Sequence, residues 1–291
     1  MKKILTLITL LSISYVTFSQ MGKVQEGLTL NSKILGKEVH FTMYLPADYE
    51  TSQRKYPITY LLHGYTDDDT GWLQYGEINR YADKAINDGT IPPMIIAMPD
   101  GGVAWYINNS DGTVLYEDFF IKEFMPYIEK TYRVKTEKRY RGVAGLSMGG
   151  FGTLVFALKH PELFAACAPL SGAVWDDDDA VKVSQDSYDR TFAVLYGKGL
   201  QGKDRLNETW YANNPLSIVS KKSVDDLKKV KYWIDCGDDD FLINGNMSLH
   251  KALKDKGVPH EFRVRDGGHT WEYWRTGIVD ALKFIGGSFH Q

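Results

Sequence analysis

Cysteine is scarce: the 291-residue chain has only Cys167 and Cys236. Neither sits with histidines at zinc-site spacing, so no metal centre is expected from them. Cys167 starts one apolar run, "CAPLSG", and Cys236 ends another, "YWIDC", and both runs read as strands. If these strands are parallel neighbours, the thiols are offset by roughly 10–13 Å along them. A disulfide needs Cα atoms within about 7 Å, so two buried free thiols are expected. Basic clusters are equally scarce. The formal charge is −3, and Lys221-Lys222 and Lys228-Lys229 read as solvated helix faces, which gives no support for nucleic-acid binding. Internal repeats, low-complexity linkers and a second domain boundary are also missing.

The N-terminus, "MKKILTLITLLSISYVTFSQ", differs from the rest. Two lysines precede an uncharged apolar run that ends in small Ser19, the pattern of a secretory signal peptide. The run is short of the ~20 residues a membrane span needs. Cleavage is expected after Ser19, and no cysteine lies there to carry a lipid. Loss of Lys2 and Lys3 takes the charge from −3 to −5. The expectation is a secreted or periplasmic protein, free of the membrane after cleavage, with residues 20–291 forming one catalytic domain.

Composition is ordinary for a globular chain, 43% hydrophobic and 24% charged. Weak alternation over 24–45 predicts a β-hairpin. After it, a buried strand is expected at 57–64, and further strands at 94–101 and 140–147 and in "AACAPLSG", "YWIDCGD" and "EFRVRDGG". Helices are expected around 74–88, 116–132, 149–160, 246–256 and 272–285. Phe119, Phe120, Phe124, Ile128 and Tyr132 recur at helical spacing and read as core. This alternation predicts an α/β fold, with a mostly parallel sheet and helices on both faces. The alternation lapses over 173–224, which reads as an insertion or cap.

In such a sheet, sites form at the carboxyl ends of strands. Three of those ends carry chemistry. Gly145-Leu146-Ser147-Met148-Gly149 fits G-x-S-x-G, in which the serine sits on a sharp strand-to-helix turn. "CGDDDFL" offers Asp238, Asp239 and Asp240, and "DGGHTW" offers His269. The order Ser, Asp, His is that of the α/β-hydrolases. A serine hydroxyl becomes an effective nucleophile when a neutral imidazole takes its proton, and a carboxylate holds that imidazole. Activity should therefore rise with pH as His269 loses its proton. Backbone N–H groups of Met148 and Tyr65 are the expected oxyanion donors. His63 is expected to position the oxyanion loop.

The motifs "LLHG" (61–64), "MPDGG" (98–102), "GLSMGGFGTL" (145–154), "HPELFAACAPLSGA" (160–173), "CGDDDFL" (236–242) and "GGHTWEYWR" (267–275) occur in order. With them the chain resembles the esterase D-like α/β-hydrolases, which include the feruloyl and acetyl-xylan esterases of carbohydrate esterase family 1. The resemblance covers nearly all of residues 20–291. It implies Ser147 as nucleophile, His269 as base and, three residues after Gly237, Asp240 as acid. The family often has Asp after the histidine, where this chain has Thr270.

The resemblance implies hydrolysis of feruloyl or acetyl esters on plant polysaccharides such as xylan. No cofactor or metal is implied. Acyl transfer to sugar hydroxyls, an S-formylglutathione hydrolase role and non-catalytic carbohydrate binding are the alternatives. Asp100, Trp105, Trp175 and Trp271 are candidate substrate contacts; Tyr106 and Trp274 also fall near strand-end loops, where aromatic faces can stack on a sugar or cinnamoyl ring. The Asp176–Asp179 run lacks the spacing of a calcium loop and reads as a solvated acidic loop. Asn108, Asn207 and Asn246 head N-x-S/T sequons.

Overall fold

The structure is a computed structural model and describes residues 21–289. The expected signal segment, 1–19, lies outside the described residues. Eight strands form one sheet: β1 (Lys23–Ser32), β2 (Lys37–Leu45), β3 (Ile58–Leu62), β4 (Ile95–Pro99), β5 (Arg141–Leu146), β6 (Ala166–Leu170), β7 (Lys231–Gly237) and β8 (His260–Arg265). Their order is β1-β2-β4-β3-β5-β6-β7-β8. The β1–β2 hairpin and the β2–β4 pairing are antiparallel, and every other pairing is parallel. This is the mostly parallel, helix-covered sheet that the strand-helix alternation predicts, in the α/β-hydrolase arrangement that the resemblance implies.

Strands β3, β4 and β6 are buried throughout, because helices cover both faces and leave no polar side. Alternate residues feed the two faces. Tyr60, Leu62 and Val143 pack with Phe120, Phe124, Leu154 and Leu249 on one. Leu61, Ala144 and Leu146 pack with Ile78, Ala82, Ile278 and Leu282 on the other. Among the described residues, no helix is long and apolar enough to cross a membrane.

Two expected helices are interrupted. The stretch 74–88 becomes Gly71–Gln74 and Ile78–Asn87, broken where Glu77 takes φ +49°. A Cβ on Gly76 would lie 2.6 Å from the Trp72 carbonyl oxygen, so the chain turns tightly there. The stretch 116–132 holds one π-helical segment, Phe120–Phe124, between two α-helical ones. There the Phe120 ring stacks on Phe156 with centroids 4.3 Å apart. The helix expected at 246–256 starts earlier and runs Ile243–Asp255.

Beyond Gly172 the lapse in alternation is a set of short helices, among them Asp177–Lys182, Gln185–Thr191, Glu208–Asn213 and Pro215–Lys221. Side chains of Asp176, Ser184, Asn207 and Asn214 cap them by accepting from first-turn N–H groups. The acidic run Asp176–Asp179 therefore begins a helix, where negative charge is favourable. Buried Arg205 ties the region together, donating to the carbonyls of Ala180, Val183 and Leu200 and to the side chain of Gln185.

The free thiols of Cys167 and Cys236 are both buried. Cys167 stands opposite Tyr232 across the β6–β7 pair, which puts Cys236 four residues further along. That is the offset the sequence predicts. Of the three sequons, Asn246 is fully buried and donates to the carbonyls of Gly172 and Leu242.

Candidate active site

Strand β5 delivers Ser147 to the turn before the helix Met148–Lys159. Ser147 has φ +54° and ψ −116°, a backbone conformation that costs of order 1–3 kcal/mol for a residue with a Cβ. The turn is closed by backbone bonds: Ser147 N–H donates to the Leu170 carbonyl at 3.0 Å, and the Ser147 carbonyl accepts from Phe151 and Ala173. The flanking glycines are needed for close approach. A Cβ on Gly145 would lie 2.6 Å from the Gly149 oxygen, and one on Gly149 would lie 2.4 Å from the Leu62 oxygen.

The loops after β7 and β8 bring the other two residues to this turn. His269 Nε2 lies 2.9 Å from Ser147 Oγ, and His269 Nδ1 lies 2.8 Å from Asp240 Oδ2. A carboxylate only accepts, so Nδ1 carries the proton and Nε2 is left bare toward the hydroxyl. Asp240 is buried, while Asp238 and Asp239 are exposed. Burial pushes the Asp240 carboxyl up, but hydrogen bonds from His269, the Leu242 N–H and the Ser171 hydroxyl outweigh it and hold it below its ordinary value. Asp238 instead accepts from Gly267 N–H and closes the loop that carries His269. Thr270 caps the helix Trp271–Ser288 by accepting from Tyr273 N–H. An Asp at that position could make the same cap.

Three neighbours lie within the quoted motifs but have no catalytic role assigned to them from the sequence. Ser171, wholly buried at φ +45°, accepts the Trp274 indole N–H at 3.0 Å. The Trp274 ring meets the His269 ring edge-on, with centroids 4.7 Å apart. Phe241 covers His269 from another side at 4.6 Å, although its own side chain is 73% exposed. The available signal for Phe241 and Ser171 is sequence adjacency, one to the acid and the other to the end of β6.

Met148 N–H is the first of its helix and has no partner within it. Tyr65 N–H donates to no group among the described residues. It lies in the loop after β3, beside the serine: a Cβ on Gly64 would be 3.7 Å from Ser147 Cβ. His63, 1% exposed, lies between this loop and the one after β4. Its Nδ1 is 2.8 Å from the Gly64 carbonyl oxygen, and its Nε2 accepts Gly101 N–H at 2.7 Å.

The four candidate substrate contacts separate. Asp100 accepts from Gly102 N–H and lies 3.4 Å from His63 Nε2. Trp105 is 4% exposed and packs among Tyr65, Phe151, Trp175 and Phe192. Trp271 packs on Trp72, Tyr75 and Trp274. Of the four, Trp175 lines a cavity of about 270 Å³, together with Tyr188, Phe192, Tyr196, Trp210 and Phe241. Phe241 is thus a shared wall, one side on the cavity and the other on His269.

A family model described as "Putative esterase" matches residues 32–285. An esterase of Mycobacterium tuberculosis is 32% identical over 246 residues, 78% of this chain and 51% of that protein. A protein of Xylanibacter ruminicola named endo-1,4-beta-xylanase/feruloyl esterase is 35% identical over 161 residues, 53% of this chain and 22% of that protein. The chain spans about half the length, or less, of these curated relatives. Among solved structures, a ferulic acid esterase aligns with a TM-score of 0.81 at 33% identity, covering 92% of this chain and 99% of that one.

Proposed function

The chain belongs to the esterase family, and from that premise we propose that it is a serine carboxylesterase releasing feruloyl or acetyl groups from plant polysaccharides such as xylan. The observation that carries the reading is the unbroken relay from Ser147 Oγ through His269 to Asp240 at the carboxyl end of the sheet. Ser147 gives its proton to His269 Nε2 as its oxygen attacks the ester carbonyl. The N–H groups of Met148 and Tyr65 stabilise the oxyanion. His269 then protonates the leaving alcohol, and an acyl group remains on Ser147. Water, deprotonated by the same imidazole, attacks this acyl-enzyme and releases the acid. Asp240 stabilises the imidazolium in both halves.

The substrate class is supported by the aromatic lining of the cavity beside Phe241 and by the names of similar proteins. Export is supported by the pattern of residues 1–19. The domain reading is residues 20–291 as one catalytic unit, with 173–224 covering the site.

The test compares wild type with Ser147→Ala on methyl ferulate, acetylated xylan and an aryl acetate. Wild type is expected to release ferulate, with turnover by Ser147→Ala lower by about 10⁴-fold or more. Release of acetate alone moves the substrate to acetyl esters. A wild type inactive on all three overturns the esterase reading.

A further inference from the structure

One peptide unit joins Gly64 to Tyr65, and in a trans peptide the C=O and the N–H point in opposite directions. Whatever holds the Gly64 carbonyl therefore also aims Tyr65 N–H. Two donors converge on that carbonyl: His63 Nδ1 at 2.8 Å and Asp67 N–H at 3.3 Å. The other face of the His63 ring fixes which nitrogen carries the proton. Gly101 N–H aims at Nε2 from 2.7 Å, and two N–H groups cannot face one another. Nε2 is therefore bare, and the single proton of the neutral ring sits on Nδ1, facing a carbonyl that can only accept. Tyr106 closes the ring's surroundings, its ring edge-on to His63 and its hydroxyl donating to the His63 carbonyl.

We propose that His63 is a positioning residue that locks the Gly64–Tyr65 peptide, through Nδ1–H, in the orientation that presents Tyr65 N–H to the oxyanion. The proposal rests on the serine esterase reading and deepens it. Catalytic stabilisation by backbone donors depends on their being fixed before the charge develops. A carbonyl held by a buried ring, itself anchored to the loop after β4, supplies that fixity. The carboxylates of Asp67 and Asp100 face the ring region. A proton added to Nε2 would displace Gly101 N–H and favour Asp100, which loosens the lock.

Two amides separate the roles of the two ring nitrogens. The Asn amide nitrogen occupies the place of Nδ1 and can still donate to Gly64. The Gln amide oxygen reaches the place of Nε2 and can accept from Gly101, but it leaves the Gly64 carbonyl without its donor. His63→Gln is expected to lower kcat by about 100-fold or more, the loss typical of a missing oxyanion donor, with KM nearly unchanged. His63→Asn is expected to stay within about tenfold of the wild-type kcat, because the donor to Gly64 is preserved.

Equal kcat for the two variants, or losses carried by KM, would overturn the lock while leaving the esterase reading intact. An inactive wild type would overturn both. A second measurement uses the unaltered protein and so stands even if both variants misfold. Nitrogen-15 spectra of the histidines at pH 7 should show His63 neutral with its proton on Nδ1. The other tautomer, or an imidazolium, overturns the proposal.

Discussion

Strands β3 to β6 are buried at every position but Arg141, and the loops at their carboxyl ends are pinned by backbone hydrogen bonds. The segment from Asp176 to Lys221 is built differently. Its helices are four to seven residues long, too short to be stable alone. It is held by side-chain caps, by one buried arginine and by aromatic packing. The contrast separates two tasks. Distances such as the 2.9 Å between Ser147 and His269 depend on the rigid sheet, whereas the cavity beside Phe241 takes its shape from the short helices. Changes in the first region should therefore remove turnover, and changes in the second should redirect it.

The largest expected effect is on the sheet side. Asp240→Asn should lower kcat by about 10³–10⁴-fold, whereas Asp238→Asn and Asp239→Asn, both exposed, should stay near wild type in steady-state assays. A strong loss at Asp239 would place the acid on a different residue. The same carboxyl predicts a pH effect on stability. Its folded value lies below its ordinary one, so its contribution is complete above the unfolded carboxylate value of about 3.9 and is lost as pH falls through the lower folded value. Thermal melts across that window should show a smaller fall in stability for Asp240→Asn than for wild type.

A smaller effect is expected over the cavity. Phe192→Ala, which opens the cavity from the short-helix side, should shift the ratio of feruloyl to acetyl kcat/KM by about tenfold, with acetate turnover retained. Equal losses on both esters would erase the distinction between the two regions. The smallest effect tests the capping itself. Asp176→Ala removes the acceptor for Asp179 N–H and should cost about 1 kcal/mol of local stability. Faster amide exchange over residues 177–182 at unchanged acetate turnover is the expected result.

The same contrast decides what could be read from the sequence. The strands show in the sequence because a strand covered on both faces must be continuously apolar. The three polar residues at their ends are legible because the strands place them. The offset of Cys167 and Cys236 follows from strand register alone. Over 173–224, helices of one or two turns leave no period to detect, so the sequence shows only the lapse. Trp105 shows a further limit: near a strand end it reads as a candidate substrate contact, and the fold buries it among four aromatic neighbours. Phe241 is illegible for the opposite reason. Its meaning lies in what its ring covers, which no spacing encodes.

The two cysteines have a use beyond packing. Burial raises both thiols, Cys236 to about 12 and Cys167 further, so in the folded chain neither offers a thiolate at neutral pH. They lie on adjacent strands, β6 and β7, each flanked by a strand on both sides, and a thiol reagent meets them only when that sheet opens. The rate of modification thus counts opening events directly. The molecule carries its own unfolding clock, and no label has to be engineered to read it.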